Sequence, residues 1–196
     1  MFSSNEKQLA ILIDPGKYGV DCLVNLLQIM QQKPPHYILV GGSTTSSSMD
    51  ETINLIRQYL DVPVILFPGN ASQFTPKADA LMYLSLISGR NPDYLIGQHV
   101  LSSISIKKSG LKVVPVGYML IESGRMTSVE YISNTKPIPS NKSEIAVCTA
   151  VAGELLGMQS IYLEAGSGAD HPVPAEMIRA VKENISIPLI VGGGIR

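Results

Sequence analysis

The sequence predicts an α/β protein with the (βα)8 barrel fold, incomplete at its C-terminus, and three observations support this class. Seven short runs rich in Ile, Val and Leu recur along the 196 residues, and segments with helical spacing lie between them. The runs do not alternate polar and apolar residues, which is typical of strands buried on both faces of a parallel sheet. Polar and glycine residues follow nearly every run. An open doubly wound sheet would concentrate such residues at one switch point, so the closed barrel is favoured.

These patterns place the elements in chain order. The strand candidates are LAILID, HYILVGG, VPVILFPG, ALMYLSLI, KVVPVGYMLI, SIYLEAG and IPLIVGGG. The helical candidates are residues 21–31, 49–59, 92–107, 143–156 and 174–184. Pro174 suits the first position of the last helix, because the missing N–H of proline would have no partner there. The sequence VGGGIR follows directly on the seventh strand, so we expect one barrel domain, 1–196, with the eighth βα unit missing.

Composition and charge exclude several classes of protein. With 45% hydrophobic and 16% charged residues, the chain has enough apolar side chains for a large core. A net charge of -1 gives no field that would attract nucleic acid. The sequence has no apolar run long enough for a membrane span and no signal-peptide pattern. Cys22 and Cys148 lack metal-ligand spacing, so we expect reduced thiols in a cytoplasmic protein.

The first two βα loops contain candidates for a metal site. Asp14 ends the first strand, where barrel enzymes carry catalytic residues, and a carboxylate there could ligate Mg²⁺. Lys17 could meet a phosphate. After the second strand, Ser43 and Thr44 follow two glycines, and Ser43 could complete a metal–pyrophosphate site with Asp14. A capping Asp, a solvated Lys and a Ser that caps the next helix are the alternatives, and the residues alone leave both interpretations open.

The sixth and seventh strands are each followed by glycine-rich loops, EAGSG and VGGGIR. Exposed amides in such loops are suited to wrapping a phosphate, and Ser167 would add a hydroxyl. Glu164, directly ahead of the first loop, could take a proton from a substrate hydroxyl. Tyr162, two residues earlier on the same face, could hydrogen-bond the same substrate. The alternative for Glu164 is an ion pair with a neighbouring Lys or Arg.

Taken in order, the motifs IDPGK, VGGST, FPG, YLSLISGRNPDYLIGQ, PVGYMLIE, YLEAGSGA and VGGGIR resemble the geranylgeranylglyceryl phosphate synthase family and its heptaprenylglyceryl relatives. The resemblance runs from about Ile11 to Arg196. It implies a modified TIM barrel and a Mg²⁺-dependent prenyltransferase. The implied reaction joins sn-glycerol 1-phosphate to a polyprenyl diphosphate, with geranylgeranyl as the family's usual tail, through an ether bond and releases diphosphate.

The resemblance also implies roles for individual residues. Asp14 and Ser43 would hold Mg²⁺, Lys17 would lie near the diphosphate, and Glu164 would deprotonate the glycerol 3-hydroxyl. The residues implied to contact sn-glycerol 1-phosphate are Tyr162, Leu163, Glu164, Ala165, Gly166, Ser167, Gly168, Gly193 and Gly194. Two departures are visible: the family continues into an eighth strand, and it often has Asp at the position of Gly16.

Further expectations concern partners. Relatives form dimers or hexamers, so a homo-oligomer is expected, and release of a lipid product implies transient contact with a membrane. Two other classes of function stay open at this point. One is another phosphate-binding barrel enzyme that acts on a small sugar phosphate, and the other is a non-catalytic lipid-binding barrel.

Overall fold

The computed structural model describes residues 2, 6–43 and 47–195 of the chain. They form two compact units. One unit lies within Lys7–Tyr83 and His99–Val113, and the other is built mainly from Leu84–Gln98 and Val114–Arg196. Strand order follows chain order, and neighbouring strands within each unit pair in parallel. The predicted parallel strand–helix repeat is therefore confirmed, whereas the assignment of residues 1–196 to one domain stays a prediction.

The first unit carries the strands that precede the candidate metal residues. Its elements are β1 (Ala10–Ile13), α1 (Val20–Gln32), β2 (Tyr37–Val40), α2 (Met49–Tyr59), β3 (Val64–Leu66), most of β4 (Ala80–Leu86) and α3 (Gln98–Ser109). Ile13 pairs with Val40, and Val40 pairs with Leu66. These three strands therefore end at one level, and their loops start side by side. Apolar side chains of the strands pack against α1 and α2 in one cluster.

The second unit carries the strands that precede the glycine-rich loops. Its elements are β5 (Lys112–Leu120), α4 (Ser128–Ser133), α5 (Ser143–Leu155), β6 (Ser160–Glu164), α6 (Ala175–Asn184) and β7 (Leu189–Gly192). Leu120 pairs with Glu164, which in turn pairs with Gly192. The ends of these strands are thus also level, and a second apolar cluster packs β6 against α5 and α6.

The predicted strands and helices all occur, with three differences in detail. Asp93–Gly97 is a π-helix ahead of α3, so the segment predicted as one α-helix changes its winding. Pro174 is the N-cap of α6 and not its first helical residue, because its ψ of 134° is extended. The short α4 was not predicted: six residues are too few to show a period, although Thr127 and Glu130 form the start of a capping box.

The helices in the described part of the chain do not meet the requirements for a membrane span. None of the helices there combines the length and the apolar composition that crossing a membrane would require.

Candidate active site

At the end of β6, polar and apolar side chains lie on opposite faces of the strand. Tyr162 and Glu164 are two residues apart and therefore lie on the same face of the strand. Leu163 and Ala165 lie on the opposite face, where both are fully buried in the apolar cluster of this unit. The side chains of Leu163 and Ala165 therefore do not face the candidate site, and the Ala165 amide already donates to the carbonyl of Gly192.

Glu164 is a buried carboxylate held by neutral donors. Its side chain is 7% exposed, and Oε1 accepts a hydrogen bond of 2.6 Å from the Gly166 amide. The hydroxyls of Tyr118 and Tyr162 also donate to it. Burial raises the pKa of Glu164, and these three hydrogen bonds lower it again in part. No ion pair within the described part of the chain includes Glu164, so the structure does not support the alternative of a Lys or Arg partner.

Tyr118 is a site residue that the sequence analysis missed. Parallel pairing of β5 with β6 sets Tyr118 opposite Tyr162, and their ring centroids are 5.4 Å apart. Burial, followed by the nearby Glu164 carboxylate, raises the pKa of both tyrosines well above the ordinary value of 10.0. Both phenols therefore stay protonated and act as hydrogen-bond donors. The motif PVGYMLIE contains this tyrosine, but placing it beside Glu164 requires the register between β5 and β6.

The glycines after β6 and β7 allow the two loops to touch. A Cβ atom on Gly193 would lie 2.5 Å from Glu164 Oε1 and would overlap the backbone of Gly166. A Cβ atom on Gly192 would overlap the hydroxyl of Tyr162. Gly166 and Gly193 also have φ angles of 100° and 78°, which other residues rarely adopt. The structure thus brings four predicted residues together: Tyr162, Glu164, Gly166 and Gly193.

The remaining predicted residues of this unit lie on the rim. Ser167 and Gly168 are exposed at the turn after β6. Gly194 packs near the backbone of Pro172, to which a Cβ atom would approach within 3.2 Å. Exposed amides and a hydroxyl at this position can reach a ligand from solvent.

The loop after β5 adds a cation that the sequence analysis also missed. A Cβ atom on Gly168 would lie 2.9 Å from Arg125 Nη2, and one on Gly166 would overlap the methyl group of Thr127. Arg125 Nε is 3.5 Å from Asp170 Oδ1, and the Arg125 side chain is about half exposed. A positive charge therefore lies against the glycine turn and is neutralised there by one exposed carboxylate.

In the other unit, Asp14 directly follows β1, and its carboxylate lies against the backbone of Gly42. Oδ1 accepts from the Gly16 amide at 3.1 Å, and Oδ2 is 3.6 Å from Lys17 Nζ. A Cβ atom on Gly42 would lie 2.5 Å from Asp14 Cγ, so only glycine allows this close approach. Asp14 thus closes a local turn and does not cap α1, whose N-cap is Gly19.

Ser43 directly follows Gly42 and is partly buried. The N-cap of α2 is Ser48, so a serine of the stretch VGGSTTSSS does cap the next helix, but that serine is not Ser43. Thr44 lies outside the described residues. Among the residues that are described, no group of three or more His, Cys, Asp or Glu side chains could form a metal cage. One carboxylate and one hydroxyl fit Mg²⁺, because this ion usually takes one or two carboxylates and leaves other positions to water and substrate phosphate.

A groove lies between the end of β4 and α5, within the second unit. Its volume is about 640 Å³ and its walls are mainly apolar. The residues that line it are Ile87, Gly89, Arg90, Leu95, Glu144, Ile145, Cys148, Thr149, Ala152, Gly153 and Leu156. This volume is within the roughly 300–1,000 Å³ typical of small-molecule sites.

Comparison with known proteins identifies the family. A geranylgeranylglyceryl phosphate synthase from Spirosoma linguale is 52% identical over 193 residues, which cover 98% of this chain and 78% of the relative. Two solved structures, a wild-type GGGPS from Thermoplasma volcanium and the (S)-3-O-geranylgeranylglyceryl phosphate synthase from Thermoplasma acidophilum in complex with sn-glycerol-1-phosphate, are each 34% identical. Each has a TM-score of 0.91 and is matched over 98% of this chain and 78% of its own length.

These likenesses bear on two sequence-based predictions. The fold class is confirmed, because the chain shares its fold with the two Thermoplasma structures over almost its whole length. The resemblance to geranylgeranylglyceryl phosphate synthases is confirmed as well. The sequence model of the PcrB family matches residues 3–196. The chain therefore belongs to the PcrB family.

Proposed function

We propose that this chain is a prenyltransferase that joins sn-glycerol 1-phosphate to a polyprenyl diphosphate, with geranylgeranyl diphosphate as the expected donor. The observation that carries the proposal is the buried Glu164, which has two tyrosine donors and a glycine turn beside it. The names of the relatives and the sn-glycerol-1-phosphate complex of one of them support the same reaction.

Glu164 is proposed as the general base. The glycerol 3-hydroxyl loses its proton to a carboxylate oxygen of Glu164 as its oxygen forms the ether bond to the first carbon of the prenyl group. The bond between that carbon and the diphosphate oxygen breaks, and diphosphate leaves with the electron pair. A raised pKa makes Glu164 a stronger base than an exposed glutamate. Tyr118 and Tyr162 orient the carboxylate, because their protonated hydroxyls donate to it.

The phosphate of the acceptor is proposed to bind at the glycine loops. The amides of Gly168, Gly193 and Gly194 and the Ser167 hydroxyl can donate to phosphate oxygens, whereas the Gly166 amide donates to Glu164 Oε1. Arg125 lies against Gly168 and can offset part of the phosphate charge. This assignment excludes Leu163 and Ala165 as side-chain ligands, since both side chains are in the core.

Asp14 and Ser43 are proposed to hold Mg²⁺, and Lys17 is proposed to bind the diphosphate. Magnesium, when bound, would offset the negative charge that develops on the leaving diphosphate. The position of Asp14 directly after β1, its contact with the backbone of Gly42 and the Lys17 ammonium 3.6 Å from its Oδ2 support this assignment. The backbone amide of Gly16 donates to Asp14 Oδ1. Gly16 has no carboxylate in place of the Asp that the family often has at this position.

The apolar groove along α5 is proposed to hold part of the prenyl tail. Its walls are mainly apolar, and a hydrocarbon chain gains free energy by leaving water for such a surface. The exposed Leu155 and Leu156 continue this apolar surface at the end of α5. Such exposed side chains also support the proposals of a homo-oligomer and of transient membrane contact for the lipid product. The two exposed free cysteines agree with the proposed cytoplasmic location.

Product formation tests the proposal directly. Radiolabelled sn-glycerol 1-phosphate would be incubated with farnesyl, geranylgeranyl or heptaprenyl diphosphate, with and without Mg²⁺. We expect an ether-linked product that requires Mg²⁺ and is lost in Glu164→Gln. Turnover of a small sugar phosphate without any prenyl product would favour the other enzyme class. Undiminished cellular function of Glu164→Gln and Asp14→Ala would favour a non-catalytic lipid-binding role.

A further inference from the structure

The side chain of Gln73 joins the loops that follow β2 and β3. It is 3% exposed, and its carboxamide makes three hydrogen bonds to backbone groups. Nε2 donates to the Gly42 carbonyl at 2.6 Å, and Oε1 accepts from the Gly42 amide at 3.3 Å. Oε1 also accepts from the Gly69 amide at 3.1 Å. One buried side chain therefore ties both glycine loops together.

Local sequence explains how Gln73 reaches this position. In FPGNASQ, Asn70 Oδ1 accepts from the Ser72 amide at 2.9 Å, which forms an Asx turn. The Gln73 amide then donates to the Asn70 carbonyl at 3.3 Å. The turn folds the chain back on itself, so the Gln73 side chain returns to the glycine at which the loop begins.

The loops that Gln73 joins also touch each other and Asp14. A Cβ atom on Gly69 would overlap the Gly42 carbonyl and would lie 3.0 Å from Ser43 Cα. A Cβ atom on Gly42 would lie 2.5 Å from the carboxyl group of Asp14. Glycines permit these contacts but impose little conformational restriction on the backbone. A carboxamide that both donates to and accepts from Gly42 supplies that restriction.

We propose that Gln73 is a positioning residue for the metal and diphosphate half of the site. By holding the peptide groups of Gly42, Gln73 sets the position of Ser43, the next residue, relative to Asp14. The inference rests on the proposed function, because Asp14 and Ser43 are ligands only under that proposal. Gln73 itself need not touch Mg²⁺ or substrate. Residues that orient ligands in this way typically change metal affinity by about 10- to 100-fold when they are replaced.

Replacement of Gln73 tests the inference against a matched structural control. Gln73→Met keeps the length of the side chain and removes all three hydrogen bonds, and Gln73→Asn keeps the amide but is too short to reach both loops. The control is Asp79→Asn, which leaves one accepting oxygen where the Asp79 carboxylate accepts from both the Val64 amide and Arg57 Nη2. Asp79 Oδ2 accepts from the Val64 amide at 2.8 Å, at the opposite end of β3 from the candidate site. Both Gln73 and Asp79 therefore fix backbone by side-chain hydrogen bonds, but only Gln73 lies beside Asp14 and Ser43.

The readout is Mg²⁺-dependent binding of inorganic pyrophosphate, measured by isothermal titration calorimetry and accompanied by melting temperatures. We expect the affinity to fall about 10- to 100-fold in Gln73→Met and less in Gln73→Asn. Asp79→Asn should lower the melting temperature and leave the affinity within about twofold of the unmodified chain. The KM for sn-glycerol 1-phosphate should stay unchanged in all three variants.

Two results would overturn the inference alone: unchanged pyrophosphate affinity in both Gln73 variants, or an equal loss of affinity in Asp79→Asn. Should Gln73→Met not fold, Gln73→Asn decides by the same criteria. Absence of Mg²⁺-dependent pyrophosphate binding by the unmodified chain is a different outcome, and it would overturn the proposed metal site together with the role of Gln73.

Discussion

Gly193 lies directly against Glu164, and a Cβ atom at residue 193 would come within 2.5 Å of Glu164 Oε1. The same Cβ would overlap the backbone of Gly166, and the φ of Gly193 is 78°. The backbone of the loop after β7 therefore packs directly against the proposed base, with no room for a side chain between them. The position of the Glu164 carboxylate depends on the absence of a side chain at residue 193.

Gly193→Ala is expected to lower both stability and turnover. The positive φ costs about 1–2 kcal/mol for a residue with a Cβ atom, and relief of the overlap adds about 1–3 kcal/mol, as in an overpacked core. The Glu164 carboxylate must also shift, so kcat should fall. Gly157→Ala is the matched control, because Gly157 has a φ of 91° with open space around it. Its kcat should be unchanged, and an equal fall in kcat for both variants would contradict the prediction.

Glu164→Gln is expected to abolish most activity and to stabilise the protein at neutral pH. Loss of a general base costs about 10²- to 10⁴-fold in kcat. Burial raises the folded-state pKa of Glu164, so its contribution to stability is fully present below the unfolded pKa and is lost as pH rises through the folded pKa. The amide in Glu164→Gln does not ionise, so the variant does not lose this stability as the pH rises. Chemical denaturation should show the gain in stability at neutral pH but not below pH 4.5, the ordinary pKa of Glu.

Glu154→Gln provides a control of opposite sign. Hydrogen bonds from the Ser186 hydroxyl and amide lower the pKa of Glu154. Its contribution to stability is therefore present above the unfolded pKa and is lost as pH falls through the folded pKa. Glu154→Gln should destabilise the protein at neutral pH and leave kcat unchanged. Stabilisation by both substitutions would contradict this assignment of the two carboxylates.

Tyr118→Phe is expected to shift the acid limb of the pH–rate profile to higher pH. The Tyr118 hydroxyl donates to Glu164 and thereby lowers the pKa of that carboxyl. Without this donor the pKa of Glu164 rises further, and the base becomes protonated at a higher pH. Profiles of kcat/KM for sn-glycerol 1-phosphate measure the shift. Tyr83→Phe removes a hydroxyl that donates to the His99 carbonyl and should leave the limb in place; an unmoved limb in Tyr118→Phe would contradict the role of Tyr118.

Arg125→Ala is expected to raise the KM for sn-glycerol 1-phosphate by about tenfold or more, because a hydrogen bond to a charged group contributes about 1.5–3 kcal/mol. The kcat and the KM for the prenyl diphosphate should be unchanged. Lys142→Ala removes the same charge from an exposed pair with Glu144 and should change neither KM. An Arg125→Ala variant with the KM of the unmodified chain would show that the phosphate is held by the loop amides and the Ser167 hydroxyl without Arg125.

Ala152→Trp is expected to shorten the preferred prenyl donor. Ala152 lines the apolar groove on α5, and an indole there would occupy space proposed for the tail. The kcat/KM for heptaprenyl diphosphate should fall more than that for farnesyl diphosphate, and the KM for sn-glycerol 1-phosphate should not change. Equal effects on all donors would show that the tail lies elsewhere.

Much of the fold could be predicted from the sequence because strands of a parallel sheet and their crossover helices have local signatures. The runs around Ile13, Val40 and Leu66 are apolar along their whole length, and glycine or Asp marks the end of each. The same local logic located Asp14 and Glu164, since a charged residue at the end of an apolar strand is exceptional. The period of two along β6 was sufficient to place Tyr162 with Glu164, and it also separates Leu163 from them.

Local sequence patterns could not predict contacts between distant segments of the chain. Tyr118 meets Glu164 only through the register of β5 on β6, Arg125 meets Gly168 only where two loops pack, and Gln73 reaches Gly42 across 31 residues. The raised pKa of Glu164 likewise comes from burial by the assembled chain. The sequence by itself determined which elements form and which residues stand at their ends, because those properties depend on near neighbours. Tertiary structure alone decided which of these residues share an environment, because burial and side-chain hydrogen bonds depend on atoms that the chain brings together from far apart.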